Sequence, residues 1–327
     1  MPPEAKLNSH YFFASKEPIK ERKMKKDLLT LKDLTKDEFD ALFARALELK
    51  KRKKEGITDR PLEGKSVGLL FNKPSTRTRI SFETATIQLG GVSIFMNEND
   101  TQIGRSEPVK DTARVLARYI DCLVIRTFSQ ELVEEYASYS DVPVVNALTD
   151  MYHPCQILSD LMTVIEAKGS YDAKVAWVGD GNNVAHSWMW AASTLGFELS
   201  LACPEGFDPD ADILREALAH GAKITVVRDP KEAVAAADIV YTDVWASMGQ
   251  EAEQKAREKA FEGYIVDDAL MALAKPDASF MHCLPAHRGE EVSESVMEGP
   301  QSIIWDEAEN KLHMHKAILD MLINQTL

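Results

Sequence analysis

The chain has 327 residues, enough for two domains of ordinary size or one large one. It carries 38 Lys and Arg against 52 Asp and Glu, a formal charge of −14, which excludes a general attraction to nucleic acid or to an anionic membrane surface. No apolar run approaches the length of a membrane span and no signal peptide is legible. The four cysteines (Cys122, Cys155, Cys203, Cys283) are dispersed without a CxxC or Cys/His metal pattern, so reduced thiols in the cytoplasm and no metal are expected.

Residues 1–23 are polar, contain proline and show no period, so they read as a flexible extension. They lack the arginine-rich amphipathic pattern of a transit peptide. A helix follows through Leu42, Ala46 and Leu49, and the basic run 50–54 closes it as a solvated end. From Lys65 the chain alternates strand and helix. Strands are expected at 67–71, 92–96, 122–126 and 142–146. A helix over 76–89 carries Phe82, Ala85 and Leu89 on one face and stops at Gly90-Gly91; another spans 109–119.

A long helix over 156–167 leads into a second run, with strands at 174–178, 198–202, 224–227, 239–242 and 280–283. A last helix spans 307–322. Repeated βα units imply parallel sheets covered on both faces. The expected class is therefore α/β, with two doubly wound parallel-sheet domains joined by helices. Ligands of such sheets bind beyond the carboxyl ends of the strands.

The candidate chemistry sits at those ends. Ser75-Thr76-Arg77-Thr78-Arg79 follows a strand and opens a helix. Free N–H groups, three hydroxyls and two arginines there form a cradle for a phosphate. A serine-capped helix with solvent-facing arginines is the bland alternative. Arg126 ends a buried strand and needs an anionic partner, either a structural carboxylate or a bound phosphate. In His153-Pro154-Cys155-Gln156 the histidine and glutamine are three apart at a helix start and can donate to one carbonyl oxygen; alone, the histidine reads as structural.

Gly179-Asp180-Gly181-Asn182-Asn183 resembles a dinucleotide fingerprint but lacks the third glycine, so its asparagines suit a substrate carboxylate or ammonium better. Asp243 can accept from an ammonium, and Ser247-Met248-Gly249 reads as a lid or a plain loop. His282-Cys283-Leu284-Pro285 places a thiol at a strand end, as nucleophile or as inert buried group.

Ser-Thr-Arg-Thr-Arg, His-Pro-x-Gln, Asp-x-x-x-Ser-Met-Gly and His-Cys-Leu-Pro together resemble the ornithine carbamoyltransferases, in order and approximate spacing, from about residue 24 to the end. The resemblance implies transfer from carbamoyl phosphate to L-ornithine, giving L-citrulline and phosphate within arginine metabolism, with no cofactor or metal. It implies a carbamoyl phosphate domain over 24–153, completed by the C-terminal helix 308–327, and an ornithine domain over 154–307. It also implies a homotrimer or a multiple of trimers.

By the same resemblance Ser75, Thr76, Arg77, Thr78, Gln102, Arg126, His153, Pro154, Cys155, Gln156, Cys283 and Leu284 hold carbamoyl phosphate. Asn183, Asp243, Ser247 and Met248 hold ornithine. Arg77, Arg126, His153, Gln156, Asp243 and Cys283 carry the chemistry, with Cys283 and Asp243 orienting the amine. The family's arginine after Glu-Asn is replaced here, since Glu309-Asn310 is followed by Lys311. Either Lys311 takes over that contact or it faces solvent beside Glu307. Transfer to putrescine or an N-acylated ornithine is the alternative within the family; a nicotinamide-dependent oxidoreductase and a silent regulatory homologue are alternatives outside it.

Overall fold

The computed structural model describes residues 25–97, 107–246 and 254–327. The expected extension over 1–23 and the candidates Gln102, Ser247 and Met248 lie outside the described residues.

The first half contains β1 (Ser66–Phe71), β2 (Val92–Met96), β3 (Cys122–Arg126) and β4 (Val144–Leu148), with α1 (Lys36–Lys54), α2 (Thr76–Gln88), α3 (Val109–Leu116), α4 (Gln130–Tyr139) and α5 (Pro154–Lys168). The second half contains β5 (Val175–Val178), β6 (Glu198–Ala202), β7 (Lys223–Val227), β8 (Ile239–Thr242) and β9 (Ser279–His282). Its helices are α6 (Asn183–Leu195), α7 (Ala211–Ala219), α8 (Pro230–Val234), α9 (Gln254–Ala260), α10 (Asp268–Met271), α11 (Glu294–Met297) and α12 (Ile304–Ile323).

Both sheets are parallel throughout, in the orders β2-β1-β3-β4 and β7-β6-β5-β8-β9. The winding direction reverses between β1 and β3 in one sheet and between β5 and β8 in the other. In register, Phe71 pairs with Arg126, and Val178 with Thr242. These pairs mark the two crevices where open α/β sheets bind ligands.

Local chemistry accounts for the element ends. Thr35 and Glu38 form a capping box on α1, and Lys51 to Lys54 meet the negative end of its dipole. The strand expected at 142–146 lies two residues later. The Ser140 hydroxyl turns the chain by bonding both N–H and C=O of Val142, and Pro143 has no N–H to give the sheet. Helix α3 stops at Leu116 rather than 119, because Arg118 and Tyr119 donate to carbonyls only three residues back. Strand β9 ends at His282, one residue short of Cys283, where Leu284 N folds back onto the His282 ring.

Helices α5 and α12 pack against each other, and α12 also lies on α1, α2 and β9. One hydrophobic core runs from Leu42 and Phe82 in the first half, through Ile157 and Leu161 of α5 and Ile318 of α12, to Trp177 and Trp188 in the second. The first eleven residues of α5, from Pro154 to Val164, are all buried. A helix hydrophobic all round would need nothing more, but this one also buries Gln156 and Asp160. Those polar groups must find partners inside.

Candidate active site

Ser75 caps α2 by accepting from Thr78 N, so the capped-helix reading is true as far as it goes. The first turn of α2 has no acidic residue to neutralise the positive helix end. Thr78 is buried. The two arginines of the motif part ways. Arg79 pairs with Glu83 at 2.9 Å and stacks over the Phe95 ring at 3.5 Å. Arg77 instead reaches across to the second half, donating from Nη2 to the Leu284 carbonyl at 2.7 Å.

Arg126 ends β3 and is buried. Its Nε has no hydrogen-bond partner among the described residues. Burial, then the nearby Arg77 cation, lowers its pKa to about 10. The structural-carboxylate reading therefore finds no support among the described residues. Two guanidinium groups, incompletely neutralised, face the crevice of the first sheet.

His153 is the N-cap residue of α5, with Pro154 at the first helical position. Its ring is buried with Nδ1 unpaired, and burial together with the Lys311 and Arg126 charges holds its pKa well below the usual histidine value. It is neutral at pH 7, so one ring nitrogen keeps a proton to donate. Gln156, one turn on, accepts from Lys311 Nζ at 2.6 Å. Lys311 is buried, which contradicts the solvent-facing alternative, and burial lowers its pKa to about 8. The Cys155 side chain faces the core, where Sγ donates to the Asn146 carbonyl at 3.3 Å and burial lifts its pKa to about 12. Only its main chain is left for a ligand.

The opposite wall comes from the second sheet. Asp243 Oδ1 accepts from Cys283 Sγ at 3.1 Å and from Val244 N, while Oδ2 accepts from Asn182 Nδ2 at 2.9 Å. Burial and the neighbouring Asp243 charge push the Cys283 thiol well above its ordinary pKa. It is a neutral donor at pH 7, not a thiolate nucleophile. Leu284 sits at φ 59°, a left-handed backbone that a branched side chain rarely adopts. Such local strain clusters at ligand sites. Asn183 turns its amide onto the Thr149 carbonyl at 2.6 Å, toward the end of β4.

Several members of this constellation escape sequence reading. Asn182, not Asn183, touches Asp243; its signal is the Asx cap it gives α6 through Val184 N and Ala185 N. Asp160, Tyr241, His282 and Glu307 line the same buried centre. Asp160 lies four residues after Gln156 on α5, a spacing that places both on one face. Glu307 leaves no comparable trace.

Gly181 serves packing. A Cβ on Gly181 would lie 2.1 Å from Pro209 N, and Asp180 is paired with Arg257 at 2.7 Å. The space that a dinucleotide pyrophosphate would need is filled by the chain itself, against the oxidoreductase alternative. Folding also brings Asp243 to the adjacent His282 and Cys283: their ligand-type atoms lie within 4.8 Å of one another. Both His282 nitrogens are engaged, Nδ1 by Leu284 N and Nε2 by Glu291, so the ring has no free lone pair for a metal.

Comparison with known proteins matches this geometry. Residues 26–166 match the aspartate/ornithine carbamoyltransferase carbamoyl-P binding domain, and residues 171–322 match the Asp/Orn binding domain of the same family. An ornithine carbamoyltransferase of Geobacter metallireducens is 60% identical over 302 residues, covering 92% of this chain and 100% of that protein. The solved ornithine carbamoyltransferase of Pyrococcus furiosus superposes with a TM-score of 0.87 at 48% identity, covering 90% of this chain and 96% of its own. An anabolic ornithine carbamoyltransferase of Campylobacter jejuni gives 0.86 at 43%, covering 92% and 99%. With both domain types matched in order, and Arg77 of the first half bonded to Leu284 of the second, the chain belongs to the aspartate/ornithine carbamoyltransferase family.

Proposed function

We propose that this protein transfers the carbamoyl group of carbamoyl phosphate to the δ-amine of L-ornithine, releasing L-citrulline and phosphate within arginine metabolism. The observation that carries the reading is the pairing of walls: Arg77 and Arg126 on one side, the Asp243–Cys283 pair on the other, joined by the Arg77–Leu284 bond. Arginines suit a phosphate, and a carboxylate beside a neutral thiol suits an amine. Ornithine carbamoyltransferases are also the relatives that match over most of the chain.

The chemistry follows from these groups. Ser75, Thr76, Arg77 and Thr78 bind the phosphate at the start of α2. Arg126, neutral His153 and Thr78 polarise the carbamoyl oxygen, with Gln156 and Lys311 beside it. The ornithine δ-amine has a pKa near that of lysine, roughly 10.4, and must lose its proton before it attacks. Asp243 and Cys283 orient it. The amine nitrogen bonds to the carbamoyl carbon, the carbon–oxygen bond to phosphate breaks, the leaving oxygen keeps the electron pair beside Arg77, and the second proton of the attacking nitrogen passes to the departing phosphate. Positioning and electrostatics suffice, without a covalent enzyme intermediate. Residues 24–153 with the last helix form the carbamoyl phosphate domain in this reading, and 154–307 the ornithine domain.

The reading includes a homotrimer or a multiple of trimers, with active sites near subunit borders. Edge strand β2 and the adjoining face of α2 expose Ile80, Ile87, Val92 and Ile94, an apolar belt at an open sheet edge. A cavity of about 610 Å³, lined by Lys73, Ser75, Arg79 and Phe95 among others, opens beside that belt. It also includes a reducing cytoplasm, which the four free thiols suit. No described helix is long and apolar enough to cross a membrane.

The test is citrulline formation by the purified protein with a panel of amines. Ornithine is expected to exceed putrescine and N-acetylornithine. Faster turnover of either rival would overturn the specificity.

A further inference from the structure

The buried centre between α5, β8, β9 and α12 holds a closed hydrogen-bond network. Gln156 Nε2 donates to Asp160 Oδ1 at 2.8 Å and to Glu307 Oε1 at 3.2 Å. The Tyr241 hydroxyl donates to Asp160 Oδ2 at 2.9 Å and to Glu307 Oε1 at 3.1 Å. The other oxygen of Glu307 accepts from His282 N at 2.9 Å. Asp160 and Glu307 thus share the Gln156 amide and the Tyr241 hydroxyl as donors. Two buried carboxyl groups that share donors titrate as a pair. Burial pushes both carboxyls upward, Asp160 to about 7, and the neighbouring Asp160 charge pushes Glu307 further. The Lys311 cation grips the far end of the Gln156 amide.

This arrangement does two things. It sets the Gln156 amide in one orientation, with nitrogen toward the carboxyls and oxygen toward Lys311. It also fixes the end of β9 one residue before Cys283. We propose that Glu307 is a positioning residue that ties the two half-sites together, holding the Gln156 amide on the carbamoyl phosphate side and the His282 N–H on the ornithine side. The proposal rests on the carbamoyltransferase reading above. Glu307 touches neither substrate; it acts through Gln156 and through the Cys283–Leu284 segment.

The test compares Glu307→Leu and Glu307→Gln with the parent, once the parent is shown to make citrulline. A parent without that activity defeats the functional reading and not the positioning role. Leucine fills the space but leaves His282 N without an acceptor. Glutamine can still accept from His282 N, while the Gln156 amide and the Tyr241 hydroxyl keep Asp160 as acceptor. Glu307→Leu is expected to lose on the order of tenfold to a hundredfold in kcat/KM for both substrates, and Glu307→Gln to recover most of it. Adding Gln156→Ala or Cys283→Ser to Glu307→Leu is expected to cost less than the product of the single effects, since each pair would act through one network.

A folded Glu307→Leu protein with parental constants overturns the proposal. So does multiplicative loss in both double variants, or equal damage in the leucine and glutamine variants. If Glu307→Leu fails to fold, Tyr241→Phe decides. It removes one donor and keeps the ring stacked on Trp177 at 5.5 Å. A severalfold loss in both constants supports the proposal, and parental kinetics overturn it.

Discussion

Lys311 Nζ donates to Gln156 Oε1 at 2.6 Å, and both side chains are buried at the junction of α12 and α5. A lysine held there keeps its charge only in part of the ordinary range. Burial is the main cause of its depressed pKa of about 8; the nearby Arg126 and Arg77 cations lower it further, while Cys283 and Asp160 oppose them. Below that value the side chain is a cation beside the proposed carbamoyl phosphate site; above it the charge is lost. Attraction for an anionic donor is therefore present at pH 7 and fades as pH rises through about 8. The parent's KM for carbamoyl phosphate is expected to climb between pH 7 and 9.5. Lys311→Arg should flatten that climb, because arginine stays charged. Lys311→Ala should raise KM severalfold at pH 7. A flat parental profile would remove Lys311 from the site.

Arg77 is exposed apart from its bond to the Leu284 carbonyl, so its loss should leave the fold intact. Arg77→Ala is expected to lower kcat by about a hundredfold or more, the usual effect of removing one charged donor to a transition state. Circular dichroism and steady-state kinetics on the same preparation check it. Near-parental turnover in the folded variant would mean that the phosphate lies elsewhere.

Cys283→Ser should act mainly on ornithine. The thiol donates to Asp243 and is held protonated by burial and by that carboxylate, so it is suited to orienting an amine. The serine variant should raise the KM for ornithine and shift the pH dependence of kcat/KM, with little change in the KM for carbamoyl phosphate. Mass spectrometry of the parent during turnover should find no carbamoylated Cys283; a kinetically competent adduct would contradict the mechanism.

Assembly can be tested at the open edge of the first sheet. Ile87 and Ile94 are exposed by 65% and 43%, too much apolar surface to leave at a sheet edge without a cover. Light scattering of the parent should give a trimer or a multiple of it. Ile87→Asp with Ile94→Asp should dissociate it and reduce activity. A fully active monomeric parent would defeat the oligomer reading.

Much of the fold is legible in the chain because parallel strands such as Val67 to Phe71 and Cys122 to Arg126 are buried on both faces and stand out as apolar runs between helices. The anion cradle is equally local, since strand end, cap and arginines are consecutive in Ser75 to Arg79. Arg126 declares itself as a charge at the end of such a run. What escapes is whatever depends on α5 and α12 meeting. Glu307 stands in the first turn of α12 beside Asp306, where an acid reads as an exposed partner of the helix dipole. Only the packing of α12 on α5 and β9 buries it and sets it against Asp160, Tyr241 and His282. The start of α12 does meet water, at Trp305, Asp306, Ala308 and Glu309, but its buried face there is made of Glu307, Asn310 and Lys311, so the apolar period that would mark that face is missing. For Lys311 and Glu307, tertiary contact therefore decided what the sequence left open.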